Sequence, residues 1–225
     1  MVDPSVRIKV CGLTSVAEAV MCASAGADWI GLNFHPASPR RIDLVLAAEI
    51  IAALPPTAQA VGLFVDRPMA EIAQVTDHLG LRIVQLHGQE PAEALCELAG
   101  LQVVRAFRLG SREAVHQMTH YLRRAEELGR PPDAVLVDAF APGQAGGTGR
   151  TIAADVLDAL PPLPRLILAG GLVPENVGAL IAHVRPWMVD VASGVESAPG
   201  RKDPARVAAF VRAAKARFEP VPFDP

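Results

Sequence analysis

Four segments far apart in this chain read as the carboxyl end of a short apolar strand opening into a loop, and this recurrence constrains the fold more than any other feature. The first is Lys9-Val10-Cys11-Gly12-Leu13-Thr14; the others are three glycine-rich turns, Gly146-Gly147-Thr148-Gly149, Ala169-Gly170-Gly171 and Ala192-Ser193-Gly194. Between and around them, strand and helix patterns alternate. Apolar, β-branched runs predict strands over 6–10, 29–34, 60–65, 83–86, 103–107, 134–137, 166–168 and 189–192. Helical patterns follow at 15–25, 44–53, 69–79, 91–99, 111–128, 153–159, 174–183 and 204–218, the first opened by Ser15 as N-cap and closed by Gly26. Strict alternation with right-handed crossovers gives a parallel sheet, and eight strands let it close without an edge. The expected architecture is therefore a single-domain α/β fold, a (β/α)8 TIM barrel over residues 1–218, with the proline-rich 219–225 as a C-terminal tail. The competing arrangement is an open doubly wound sheet, but no glycine fingerprint follows the first strand, where a dinucleotide fold would place one.

Composition agrees with buried parallel strands: of 225 residues, 51% are apolar, 20% charged and only 4% aromatic. A net charge of −3 spread along the chain lacks the basic stripe that nucleic acid requires. No apolar run reaches the roughly 18 residues of a membrane span, and Met1-Val2-Asp3-Pro4 does not begin a secretory leader. A cytoplasmic protein with neither nucleic acid nor membrane as partner is expected. The three cysteines, Cys11, Cys22 and Cys96, form no close metal-ligand pair and suggest no disulfide framework. His116 and His120 share a helical face without a nearby carboxylate, so no metal site is expected.

Barrel chemistry is built at the carboxyl ends of the strands. Cys11 ends the first strand beside Gly12 and is either an acid or base at the mouth or a small buried hydrophobe; Cys22 and Cys96, on helical stretches, read as the latter. Asp138 ends the sixth strand just before the glycine loop 143–149, a position suited to a general acid or to a loop salt bridge. Gly147, Gly149, Gly170, Gly171, Ser193 and Gly194 follow strands six to eight, and backbone amides at such turns can approach a phosphate closely. Arg40, in the loop after strand two, has the planar fork that pairs with a carboxylate, and His87 ends strand four. Asp190 on strand eight is a second carboxylate, structural or sharing a role with Asp138.

Taken together, these segments resemble the phosphoribosylanthranilate isomerases of tryptophan biosynthesis. The resemblance also rests on Gly26-Ala27-Asp28 with Gly31, Ser38-Pro39-Arg40, Val61-Gly62-Leu63-Phe64, Val84-Gln85-Leu86-His87-Gly88, Leu136-Val137-Asp138, Pro174-Glu175-Asn176-Val177 and Val189-Asp190-Val191-Ala192-Ser193-Gly194-Val195-Glu196. It implies an Amadori rearrangement of N-(5-phosphoribosyl)anthranilate, a small phosphorylated substrate, without cofactor or metal, in a monomer or homodimer. Cys11 would be the general base and Asp138 the general acid. Arg40 would hold the anthranilate carboxylate, and the amides around Gly149, Gly171, Ser193 and Gly194 the phosphate. His35 and Thr151-Ile152-Ala153-Ala154 stand where the family often has aromatic residues. An isomerase that also accepts the histidine-pathway aminoaldose, and a non-catalytic sensor of phosphate ligands, are the competing functions; a cysteine at the first strand argues against the former.

Overall fold

The computed structural model describes residues 6–138, 154–163 and 165–216. Its strands are β1 (Arg7–Cys11), β2 (Trp29–Asn33), β3 (Gln59–Phe64), β4 (Ile83–Leu86), β5 (Gln102–Arg108), β6 (Ala134–Asp138), β7 (Leu166–Ala169) and β8 (Met188–Val191). They pair in sequence order and β8 returns to β1, closing an all-parallel barrel. The helices are α1 (Val16–Ala25), α2 (Leu44–Ala53), α3 (Met69–Leu79), α4 (Arg112–Glu127), α5 (Ala154–Leu157), α6 (Val177–Val184) and α7 (Pro204–Lys215). Ser15 Oγ accepts from the Glu18 amide at 3.2 Å, and Gly26, at φ +111°, ends α1 in the left-handed region. Among the described residues no helix is long and apolar enough to cross a membrane.

Side chains alternate in direction along each strand, so the barrel has two apolar layers. Inside lie Trp29, Val61, Ile83, Val104, Ala106, Ala134, Leu136, Ile167, Ala169 and Met188, a filled core and not a pore. Outside, Ile8, Val10, Ile30, Leu32, Val84, Leu86, Val135, Val137 and Val189 pack beneath the helices. The amino-terminal end is closed by Trp187, edge-on to Trp29 at 5.5 Å and covered by the Arg7 guanidinium at 5.1 Å.

Three expectations need correcting. The segment after β4 is a 3₁₀ helix, Ala92–Leu98, not an α-helix; a seven-residue connector leaves little length for the i→i+4 ladder, and short pieces are where the 3₁₀ form occurs. After β8 the chain makes a 3₁₀ turn, Ser193–Val195, and then a small antiparallel hairpin, β9 (Glu196–Ala198) with β10 (Arg201–Lys202), where only a turn was expected. Cys96 is exposed while Cys22 is buried, because the 3₁₀ connector turns position 96 outward. The start of the helix expected at 153–159 and the 219–225 tail lie outside the described residues.

An ionic pair stands among the inward-facing residues. Lys9 on β1 and Asp190 on β8 are register partners, and the Lys9 ammonium, fully buried, stands 2.9 Å from Asp190 Oδ2. Burial opposes the ammonium's charge, but Asp190 and then Cys11 outweigh it and raise the lysine's pKa. Lys9→Met would leave a buried carboxylate without its cation, an error worth about 3–5 kcal/mol. Urea unfolding of Lys9→Met should show a loss of that size, and Lys9→Met with Asp190→Leu should recover much of it. Equal stability of Lys9→Met and the parent would remove the pair from the account.

Candidate active site

The carboxyl ends of the strands gather the candidate residues at one mouth. Cys11 is the last residue of β1, 7% exposed, two positions beyond Lys9 and so on the same inward face. Its register partner on β2 is Gly31, where a Cβ would lie 2.6 Å from the Cys11 Sγ. The glycine thus leaves the thiol its space. Burial pushes the Cys11 thiol above its ordinary value; Lys9 and Lys202 pull it back and Asp190 adds to the rise.

This yields a direct titration. In a Cys96→Ser background, the thiolate absorbance lost on Cys11→Ala should have its midpoint above the ordinary thiol value of about 8.5. Cys22, held at about 12 by burial, stays out of that range. Lys9→Met removes a nearby cation and should move the midpoint higher still. A midpoint below 8 would contradict this electrostatic description.

Asp138 ends β6 with a side chain 30% exposed, in register with Arg108 on β5 and Ala169 on β7. His87 follows β4, its Nε2 3.6 Å from Asp138 Oδ2, while Gln85 Nε2 lies 2.9 Å from its Nδ1. One ring nitrogen of His87 is thus engaged by Gln85 while the other faces Asp138. The loop bearing His87 is fastened from outside the barrel by Arg105. Its Nη1 donates to Leu86 O at 3.1 Å and Nη2 to Gly88 O at 3.0 Å, and it pairs with Glu90 at 3.3 Å. Glu90 in turn accepts from the amides of Asp66 and Gly88, tying the loops after β3 and β4 together.

Arg40 packs over Gly12, which is at φ +75° and has no room for a Cβ beneath the Arg40 side chain. Its guanidinium is held by Glu196 through Nε to Oε1 and Nη2 to Oε2, each 2.7 Å. Lys202 Nζ reaches the same carboxylate at 2.8 Å and Ala192 O at 3.0 Å. Burial pushes the Glu196 carboxyl up, but hydrogen bonds from Arg40 and Lys202 and their charges prevail and hold it below the usual range.

Gly170 and Gly171, at φ +83° and +65°, turn the chain after β7 through conformations that other residues rarely adopt. Asn176 holds this loop, accepting from Val173 N and donating to Gly171 O, both at 2.9 Å. Gly194 lies against Leu172 O with no space for a Cβ, so the loops after β7 and β8 are in contact, with Ser193 beginning the 3₁₀ turn beside them. Gly147 and Gly149 lie outside the described residues. Among the described residues, no three His, Cys, Asp or Glu side chains are grouped so as to hold a metal ion.

The structure therefore brings Cys11, Asp138, His87, Arg40, Gly170, Gly171, Ser193 and Gly194 to the same barrel face. Sequence reasoning missed Lys9, Gln85, Glu196 and Lys202 as parts of it. For Lys9 a signal existed: strand parity places it on the face of Cys11.

Known proteins resemble the chain along nearly its whole length. The family described as N-(5'phosphoribosyl)anthranilate (PRA) isomerase matches residues 8–213. A protein of Geobacter sulfurreducens named N-(5'-phosphoribosyl)anthranilate isomerase is 45% identical over 210 residues, 93% of this chain and 98% of the relative. One of Chlorobaculum parvum with the same name is 43% identical, covering 93% and 95%. The crystal structure of phosphoribosyl anthranilate isomerase from Thermotoga maritima superposes with a TM-score of 0.81 at 34% identity, covering 93% of this chain and 98% of that one. A structure of such an isomerase with reduced 1-(o-carboxyphenylamino)-1-deoxyribulose 5-phosphate bound gives 0.78, also at 34% identity and the same coverage.

Proposed function

This chain belongs to the N-(5'-phosphoribosyl)anthranilate isomerase family, and from that premise we propose that it converts N-(5-phosphoribosyl)anthranilate to 1-(2-carboxyphenylamino)-1-deoxyribulose 5-phosphate, with Asp138 as general acid and Cys11 as general base. The observation that carries the assignment is the placement of the two groups. Both end strands at the same mouth, and β7 and β8 separate them, so a substrate lying across the opening meets one on each side.

In the first step protonated Asp138 gives its proton to the furanose ring oxygen. The bond from that oxygen to C1 breaks, and the anilino nitrogen's lone pair forms the C1 iminium. The iminium acidifies C2–H, and the Cys11 thiolate takes that proton; the electrons of the C–H bond form the C1–C2 double bond and neutralise the nitrogen. The enolamine then ketonises, losing the C2 hydroxyl proton and gaining one at C1. No atom is gained or lost and no redox partner is needed. Burial makes the Cys11 thiolate a strong base, and Lys9 and Lys202 favour its formation.

The substrate has an anion at each end. Arg40, and the loops at Gly170, Gly171, Ser193 and Gly194, suit its carboxylate and its phosphate respectively, and anchoring both ends would hold C1 and C2 between acid and base. The test is conversion of phosphoribosylanthranilate, formed from ribose 5-phosphate and anthranilate, to the ketose. Absence of ketose with folded protein would refute the assignment.

A further inference from the structure

The cation expected to meet the substrate carboxylate is already engaged by a carboxylate of the protein. Glu196 occupies one edge of the Arg40 guanidinium, Nε and Nη2, with two bonds of 2.7 Å. A guanidinium has five N–H groups, and a side-on pair uses two of them. The end-on edge, formed by Nη1 and the second hydrogen of Nη2, is left over, and it is a fork of the same geometry.

Ordinarily a bidentate carboxylate would cancel the charge that makes arginine attractive to an anion. Here Lys202, whose side chain is fully buried, donates to Glu196 Oε1 at 2.8 Å. The Glu196 carboxylate is therefore shared between two cations and is not spent on Arg40 alone. Its parts are fixed from several sides: the Lys202 amide donates to Glu18 Oε1 at 3.1 Å, Thr14 Oγ1 to Gly200 O at 2.6 Å, and the Arg40 amide to Ser38 Oγ at 3.1 Å. The hairpin after β8 is thereby joined to the loops after β1 and β2, and the Arg40 side chain remains 20% exposed.

We propose that Glu196, with Lys202 behind it, is the positioning residue that turns the end-on fork of Arg40 toward the substrate's aryl carboxylate and so sets the enzyme's preference for an anthranilate over an uncharged arylamine. This rests on the reading of Arg40 as the carboxylate clamp. Glu196 supplies orientation, and Lys202 draws on the same carboxylate, so that less of its charge falls on Arg40. The preference is then built into the ligand-free protein, and the substrate need not order a long side chain on binding.

A double-mutant cycle tests this. The parent's turnover of phosphoribosylanthranilate is measured first, since its absence would refute the function itself and not this inference. Given turnover, Glu196→Gln should raise KM roughly tenfold with kcat within about threefold, as expected for a lost orienting contact in binding. In an Arg40→Ala background the same change should alter KM by less than about twofold, because there is no fork left to orient. Where Glu196→Gln melts too low to assay, Lys202→Met serves, read in KM alone because its kcat also falls through Cys11: KM several-fold higher alone, unchanged beside Arg40→Ala. Phosphoribosylaniline, which lacks the carboxylate, should be turned over equally by parent and Glu196→Gln. A normal KM in folded Glu196→Gln, or the same KM factor with and without Arg40, would overturn the proposal.

Discussion

Asp138→Asn is expected to lower kcat by roughly 10²–10⁴-fold, the range that a positioned general acid contributes. The amide keeps the shape of the carboxyl group but cannot give a proton to the ring oxygen, so ring opening loses its acid while binding groups stay in place. KM should change little, because the role exists mainly in the transition state. The fold should tolerate the exchange: the side chain is 30% exposed at a strand end, and its near neighbour His87 is 3.6 Å away, beyond a hydrogen bond that folding would depend on. A melting curve close to the parent's, with kcat down by orders of magnitude, is the expected pair of results. Near-normal kcat would move the acid elsewhere, with His87 the next group to examine.

Cys11→Ala should be comparably severe, again roughly 10²–10⁴-fold in kcat, because nothing then accepts the C2 proton. The two variants fail at different steps. Asp138→Asn stops before the ring opens, whereas Cys11→Ala leaves the acid intact and should still permit slow loss of anomeric configuration through the open iminium. Cys11→Ser is the sharper comparison. A serine hydroxyl fits the space beside Gly31 but is a far weaker acid than a thiol, so Lys9 and Lys202 cannot make its anion accessible. Its kcat should stay near that of Cys11→Ala. Substantial activity in Cys11→Ser would mean that shape, and not an ionisable thiol, is what the site requires.

The barrel and part of its mouth were legible because strands and turns are local signals. Apolar runs marked all eight strands, and Ser15 and Gly26 marked the ends of α1 through interactions spanning a few residues. Position at a strand end then singled out Cys11 and Asp138. What stayed hidden depends on distant partners. Arg40 and Glu196 are 156 residues apart, and Lys9 and Asp190 181 apart. Nothing near Glu196 in sequence distinguishes a buried clamp from an ordinary surface acid, since the hairpin that carries it is short and polar. The 3₁₀ connector was missed because the composition of 91–99 is that of an α-helix, and an α and a 3₁₀ turn share the same residue preferences over so short a stretch. Lys9 was the one recoverable omission: an ionisable residue two positions before Cys11 in a buried strand needs a counter-charge, and strand parity points it into the barrel.

Loss of anthranilate-type fluorescence from freshly formed phosphoribosylanthranilate, followed for the parent, Asp138→Asn and Cys11→Ala at equal concentration, tests the central claim most directly. Rapid loss is expected with the parent and almost none with either folded variant. No loss with folded parent protein would contradict the isomerase assignment, and equal rates in all three would contradict acid–base catalysis by Asp138 and Cys11.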